Sequence, residues 1–389
     1  MDADRLQHSF SLVTTHGDEV PLYFYSHLFL THPEARAMFP ASMAAQRDRL
    51  VGALLRVVGN VHQVEAVVPY LQQLGRDHRK YGVTAEHYPF VGASLLATLE
   101  HFLADEWTSE LAADWATAYG LVAEVMTAAS TEAEQAAPPW YDAEVMDHER
   151  RGPGIAVLTV RPEQRVPYRP GQSVSVQAPM TPRMWRYLSP ANAPRADHTI
   201  EFHVRAVDGG WVSPALVHST GKGDVLRLAA PIGSGLVLDQ ASHELDGDLL
   251  LIAGGTGLAP LRAVVEQLDG RRQRRTVDLY VGARTEAELY DLPALRQLQE
   301  RNRWLTVIPV VQRGASPGLA IGDPASVAVG NRRWQGAHVF VCGSPEMVET
   351  SLEVLDAAGI DPRIVRRETH TYNGHVGSPK ETAKEEALA

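Results

Sequence analysis

The sequence predicts three domains in series: an all-α domain, an antiparallel β-barrel domain, and an α/β domain built on a parallel sheet. Three observations carry this. From Leu6 to about Gln135 glycine is sparse and apolar residues recur at helical spacing, as in Leu50, Leu54, Val57, Val58 and Val61. At the paired prolines of "AEQAAPPWYDAE", residues 133–144, the helical period gives way to the two-residue alternation of strands. Beyond Gly247 the alternation is replaced by continuous apolar runs separated by helical segments, the pattern of a parallel sheet covered on both faces.

Each element follows from these periods. "GQSVSVQAP", "HTIEFHVRAV" and "DVLRLAAP" alternate apolar with polar residues between Gly and Pro turns, as half-buried strands of a small barrel do. "DLLLIAG", "VDLYVGA", "LTVIPVV" and "AHVFVCG" are apolar throughout and read as parallel core strands. The expected boundaries are 1–137, 138–243 and 244–370, with the polar tail 371–389 left loose because it has little to bury. There is no internal repeat.

Composition narrows the function. The 389 residues are 44% hydrophobic and 21% charged, and no apolar run approaches the length of a membrane span. A formal net charge of -11 repels phosphate backbones, and the basic residues are scattered singly, so nucleic acid is excluded as a partner and small molecules are expected. Cys342 is the single cysteine, so no internal disulfide forms, and the N-terminus lacks an export pattern. A cytoplasmic monomer is expected.

Within the helical domain, Leu71, Leu74 and His78 fall at i, i+3 and i+7, which turns His78 to the apolar face and Asp77, Arg79 and Lys80 outward. For a lone histidine the ordinary reading is a core side chain satisfied by a backbone carbonyl. Gly82 is suited to end this helix in the left-handed conformation and Thr84 to cap the next, so the chain reverses and brings His78 toward Tyr88. Tyr88 shares the inner face of the following helix with Val91 and Leu95, and His87 turns away.

These spacings resemble a globin, and specifically the globin domain of flavohaemoglobins, in which a haem-binding globin is joined to a flavin and nicotinamide reductase. The resemblance extends over nearly the whole chain. It implies haem b held by His78 as the proximal iron ligand, with Glu132 joining His78 to Tyr88, although "STEAEQ" also offers Glu134. On the distal side it implies Tyr25, Phe39, Gln46 and Leu50, the last two sharing one helix face. A neutral imidazole binds iron, and a carboxylate behind it raises its basicity. A tyrosine hydroxyl and a glutamine amide can hold bound dioxygen. Taken singly, Tyr25, Phe39 and Leu50 read as core packing and Gln46 as a solvated helix position.

In the middle domain "YRPGQ" from Tyr168, "RYLSPAN" from Arg186 and "DGGWVS" from Asp208 are similar to the flavin domain of the ferredoxin reductase superfamily. Arg186 suits the pyrophosphate of FAD, and Ser189 the flavin nitrogen that accepts hydride. Gly209, Gly210 and Ser213 suit its phosphates, or form a simple hairpin turn. Two ring contacts depart from the family. Leu188 stands where the family has a stacking tyrosine, with Tyr187 one residue earlier and facing the other way, and "RRETH" matches Glu368 but puts His370 in place of the shielding aromatic. The pattern looks like the divergent actinobacterial branch of the family.

"LLLIAGGTGLAPL" is strand, glycine loop and helix, so Gly254, Gly255, Thr256, Gly257, Leu258, Ala259 and Pro260 are candidates for a dinucleotide pyrophosphate. Arg284 is placed for the adenosine end of NADH or NADPH, or is a surface charge. Cys342, Gly343 and Pro345 follow another strand, where ligands of open α/β sheets bind, although a buried small apolar residue is an equal reading of Cys342. The resemblance implies electron flow from NAD(P)H through FAD to the haem, and nitric oxide dioxygenation to nitrate as a detoxification. A haem-flavin oxidoreductase with another electron donor, and an O2- or NO-binding sensor with a vestigial reductase half, are the alternatives.

Overall fold

The computed structural model describes residues 1–152, 154–238, 247–269 and 275–369. It divides into two compact units between Trp140 and Tyr141.

The first unit is helical: α1 (Ala3–Thr14), α2 (Glu19–Thr31), α3 (Ala44–Gly59), α4 (Val64–His78), α5 (Tyr88–Leu103) and α6 (Ser109–Ala136). Side-chain caps begin the first and last. The Asp2 carboxylate accepts from the Arg5 N–H at 3.1 Å, and the Thr108 hydroxyl accepts from the Leu111 N–H at 3.2 Å. Leu6, Phe24, Leu28, Leu99 and Trp115 form the main core. A second cluster of Val67, Leu71 and Met126 lies where α4 crosses α6, with Leu74 and Tyr88 packed against it. Helix α3 differs from its neighbours: Val58 is its one buried residue, and the apolar stripe through Leu50 and Leu54 is only half covered by protein.

In the second unit an antiparallel sheet of six strands runs in the order β4-β3-β6-β1-β2-β5. The strands are β1 (Tyr141–Arg150), β2 (Ile155–Pro162), β3 (Ser173–Gln177), β4 (Arg186–Leu188), β5 (Ile200–Arg205) and β6 (Val225–Ile232), with helix α7 (Val212–His218) before the last. An antiparallel bridge from Pro190 to Phe202 links the chain just beyond β4 to β5, bringing the two ends of the sheet together as a barrel. The parallel sheet follows, ordered β10-β9-β8-β7-β11-β12. Its strands are β7 (Leu249–Gly254), β8 (Val277–Ala283), β9 (Leu305–Val311), β10 (Ala320–Ile321), β11 (His338–Gly343) and β12 (Arg366–Thr369). Helices α8 (Leu258–Leu268), α9 (Leu292–Arg301), α10 (Pro324–Asn331) and α11 (Pro345–Ala357) connect them. Leu249 and Leu251 join one core cluster and Leu250 and Ile252 the other, which is why this strand is apolar on both faces. The strand order reverses between β7 and β11, so the crevice for a ligand opens at the carboxyl ends of those two strands.

Two local expectations are corrected. Arg79 and Lys80 do not point outward: they are 8% and 5% exposed, because a 3₁₀ turn over Arg79–Tyr81 follows α4 and carries both inward. Their charges find partners there, Lys80 on the Asp77 carboxylate at 2.8 Å and Arg79 on the Ala137 carbonyl at 2.6 Å. Strand β5 is also not half-buried, since Glu201 and His203 on its polar face are buried along with Ile200 and Phe202. Among the described residues no helix is long and apolar enough to cross a membrane.

Candidate functional site

The proximal side is built on the last turn of α4. His78 Nδ1 lies 2.7 Å from the Leu74 carbonyl oxygen. A carbonyl can only accept, so Nδ1 carries the proton and Nε2 is left with its lone pair. Burial pushes the ring's pKa down, which keeps it neutral near pH 7. That is the donor chemistry a haem iron requires. The expected corner forms: Gly82 adopts φ 78°, and Thr84 caps the turn before Tyr88 in a capping box with His87. Tyr88 lies on the cluster beneath α4, but its buried hydroxyl has no hydrogen-bond partner. Glu132 does not join the two. It is exposed and pairs with Arg76 at 3.5 Å, because this end of α6 carries its carboxylate toward solvent.

Distal candidates gather between α2, the turn after it and α3. Tyr25 meets Phe39 edge-on at 5.5 Å and stacks on Phe29 at 5.9 Å. Its hydroxyl donates to the Gln46 backbone carbonyl at 3.2 Å, so the structure joins Tyr25 to the backbone of Gln46 and not to its amide. Burial pushes this phenol's pKa well up, and it stays protonated as a donor. Phe39 is held by a residue the sequence did not single out. Arg36 donates to the carbonyls of Phe39, Pro40 and Ala41 at 3.1, 3.0 and 3.2 Å, closing the turn around the ring. Leu50 and Leu54 of the half-covered α3 stripe complete an apolar wall. One neutral imidazole, one protonated phenol and apolar walls fit a haem.

At the flavin site, Ser189 is 4% exposed and its hydroxyl lies 3.0 Å from that of Ser173. Ser173 in turn donates to the Glu368 carboxylate at 2.9 Å. Two residues expected at the flavin are therefore joined through a third, which reads in sequence as an ordinary strand position. Arg186, Tyr187 and Leu188 lie half-buried on β4, paired with Val176, Ser175 and Val174. Gly209 has φ 73°, and Gly210 and Ser213 close the turn that begins α7 instead of a hairpin: Gly210 N–H donates to the Val207 carbonyl at 3.0 Å, and Ser213 accepts from the Val207 N–H at 3.2 Å. Tyr168 is a correction. It is buried, and its hydroxyl is spent on the Asn192 carbonyl at 2.9 Å, so it braces the site's loop and offers no open face. A buried hydroxyl pair anchored on a carboxylate fits FAD. His370 lies outside the described residues.

The glycine loop follows β7 directly into α8. Gly255 has φ 55°, and a Cβ at Gly257 would come within 2.4 Å of the Cys342 carbonyl oxygen, so no larger residue lets the loop approach β11 this closely. The side chains of Leu258, Ala259 and Pro260 are buried in the core, so what the first turn of α8 presents to a ligand is backbone. Cys342 is corrected too. Burial, with Glu368 alongside, pushes its thiol pKa well up, and it packs in the core as a small apolar residue would. Gly343 abuts the Met347 thioether, and Pro345 opens α11. Arg284 is exposed and pairs with Glu288 at 3.2 Å. The loop, whose backbone can approach a ligand and whose helix follows at once, fits a dinucleotide pyrophosphate.

Comparison with known proteins agrees with this geometry. Residues 22–126 match the globin family, 147–235 the oxidoreductase FAD-binding domain and 251–352 the oxidoreductase NAD-binding domain. A flavohemoprotein of Bacillus subtilis is 26% identical over 382 residues, covering 91% of this chain and 92% of that protein. The reductase subunit of an aromatic O-demethylase from Amycolatopsis is 32% identical over 209 residues, covering 52% of this chain and 61% of its own. In fold, the flavohemoglobin of Malassezia yamatoensis, solved with bound FAD and heme, superposes with a TM-score of 0.71 at 17% identity, covering 94% of this chain and 99% of that one. The chain thus joins a globin, an FAD-binding and an NAD-binding domain in this order, and is similar along almost its whole length to a flavohemoprotein.

Proposed function

We propose that this oxidoreductase is a cytoplasmic, NAD(P)H-dependent nitric oxide dioxygenase that detoxifies nitric oxide. Bound haem, FAD and NAD(P)H supply the electron carriers, and one electron with nitric oxide and dioxygen gives nitrate. The chain's own residues do the rest. His78 presents Nε2 because Leu74 holds the opposite nitrogen. Tyr25 keeps a proton on a hydroxyl anchored at α3, available to a partly negative ligand once it swings from the Gln46 carbonyl. Phe29, Phe39 and Leu50 keep water from that hydroxyl. Ser173, Ser189 and Glu368 give the flavin side a chain of hydroxyls ending on a carboxylate, able to hold a proton that accompanies electron transfer.

The observation that carries this reading is the presence, in one helical unit, of a neutral imidazole on α4 and a protonated tyrosine set among aromatic side chains on α2. The test is aerobic oxidation of NADH or NADPH by the purified protein while nitric oxide is consumed and nitrate assayed. Stoichiometric nitrate that falls sharply in Tyr25→Phe is the expected result. Oxidation of NADH without nitrate would overturn it and leave a haem-flavin oxidoreductase of another kind.

A further inference from the structure

The segment that joins α2 to α3 is held by one of its own side chains. Arg36 lies in the 3₁₀ turn Pro33–Met38, and three successive carbonyls beyond that turn accept from its guanidinium. Nη1 donates to Phe39 at 3.1 Å and to Pro40 at 3.0 Å, and Nη2 donates to Ala41 at 3.2 Å. The Arg36 carbonyl in turn accepts from the Phe39 N–H at 3.3 Å, so Phe39 is tied to this one residue through its N–H and its carbonyl alike. The guanidinium carbon also lies 5.4 Å from the centre of the Phe29 ring, within cation–π range.

What this clamp holds bears on Tyr25. Phe29 and Phe39 meet edge-on at 5.3 Å, and Tyr25 touches both rings. Its hydroxyl donates to the Gln46 carbonyl, in the first turn of α3, at 3.2 Å. Two partners of the phenol, the Phe39 ring and the Gln46 carbonyl, therefore stand on the stretch of chain that Arg36 grips: Phe39 inside the grip and Gln46 shortly past Ala41. Without the clamp those carbonyls turn to water and the rings gain room to reorient, and local openings of this kind admit ligands. We propose that Arg36 is a latch on the distal side of the haem pocket. By holding the carbonyls of Phe39, Pro40 and Ala41 it sets how fast a gas molecule passes the Phe39 ring, and by fixing the approach to α3 it keeps the Tyr25 hydroxyl at one donor position. It is a positioning residue, acting through Phe39 and Tyr25. The inference rests on reading those two side chains as walls of a haem pocket, and it is independent of the nitric oxide chemistry. A plain brace would alter stability and nothing else, whereas a latch also changes how a bound diatomic molecule is met.

The experiment uses carbon monoxide, which binds ferrous haem without turnover, on the haem- and flavin-loaded full chain reduced with dithionite. Arg36→Met keeps an unbranched apolar stem and removes every donor. Recombination of carbon monoxide after flash photolysis should become about tenfold faster, the scale of one charge-assisted hydrogen bond. The C–O infrared band should broaden toward higher frequency as the hydroxyl spends less time on the ligand. Arg36→Lys keeps the charge without the planar fork and should fall between the two. In a Tyr25→Phe background the effect of Arg36→Met on the rate should remain and its effect on the band should vanish, because the hydroxyl that the band reports is gone. An Arg36→Met protein with the parent's rate and band overturns the proposal, and if that variant does not fold, Arg36→Lys carries the test by the same criterion. A band shift at the parent's rate overturns the control of entry. A faster rate with the parent's band, or a band shift that persists without the Tyr25 hydroxyl, overturns the link to Tyr25. A parent that takes up haem but gives no carbon monoxide spectrum overturns the distal reading, and the latch with it, whatever the protein does with nitric oxide.

Discussion

Ser173, in the flavin barrel, donates a 2.9 Å hydrogen bond to Glu368, on the last strand of the nicotinamide sheet. A carboxylate only accepts, so the proton of Ser173 is committed to Glu368 and its oxygen is left to accept from Ser189, 3.0 Å away. The order of donors therefore runs from Ser189 to Glu368 across the boundary between two folds. Ser173→Ala cuts this chain and leaves a half-buried carboxylate without its donor. Urea unfolding followed by flavin fluorescence should show a loss of about 1–3 kcal/mol. FAD retention should fall in parallel and return in Ser173→Thr. An alanine variant as stable and as flavin-loaded as the parent would sever the link.

The same seam is held by a buried ionic cluster. Glu201 on β5 lies against Arg262 of α8 and 3.1 Å from His203, while Arg262 also reaches Glu266 at 3.1 Å and Asp291 at 3.3 Å. Burial raises the Glu201 pKa, but His203 and Arg262 outweigh it and hold the carboxyl well below the usual range. A carboxyl whose folded pKa is depressed contributes stability above its unfolded value of 4.5, and that contribution is lost as pH falls from there toward the folded value. Glu201→Gln leaves Arg262 short of a partner and should cost the second unit about 3–5 kcal/mol at pH 7. Denaturant midpoints taken from pH 7 to pH 3 should converge between variant and parent, and parallel curves would sink the assignment.

On the proximal side the family resemblance and the geometry make opposite predictions. A link from Glu132 through Tyr88 to His78 requires both side chains, whereas here Glu132 is an exposed partner of Arg76 and the Tyr88 hydroxyl is buried without one. An exposed pair contributes about 0–1 kcal/mol. Glu132→Ala should accordingly leave melting temperature and the iron–histidine stretch in resonance Raman spectra within error. Tyr88→Phe removes an unsatisfied hydroxyl and should be neutral or slightly stabilising. A stretch that drops in both variants would restore the triad and show that haem binding draws Glu132 inward.

These cases show which physics the sequence displays. Periodicity and turn chemistry are local, so the three folds, the corner at Gly82 and the glycine loop could be read directly. Side chains whose meaning depends on a distant neighbour could not. Arg79 and Lys80 look solvent-facing on a helical wheel, and only the tightened turn after His78 shows them buried on Asp77 and Ala137. Glu201 and His203 look like the wet face of a strand until α8 covers them. Ser173 carries no signal in its own segment, because its partner Glu368 comes from another domain. Glu132 is the reverse case: its spacing invited a role, and its position on the exposed side of α6 withholds one.

The height of His78 is set by the helix crossing that precedes it. Helix α4 crosses α6 at Gly75, where an added Cβ would lie 2.2 Å from the Met126 carbonyl oxygen and 2.8 Å from its Cα. Both are backbone atoms of a long helix, so neither can move aside as a flexible side-chain tip would. In Gly75→Ala the alanine's better helix propensity favours α4 by about 1 kcal/mol. The clash opposes it, and overpacking of this kind costs about 1–3 kcal/mol. The net should be a destabilised helical unit in which α4 is pushed off α6 and His78, three residues on, is carried with it. The expected signature is a lowered apoprotein midpoint together with a weakened or low-intensity Soret band in the reconstituted protein. The exposed Gly59 serves as control, because a Cβ there meets nothing within 4 Å, and Gly59→Ala should leave the Soret band unchanged. Should Gly75→Ala be as stable and as strongly haem-coloured as the parent, the helix crossing does not set the position of the imidazole.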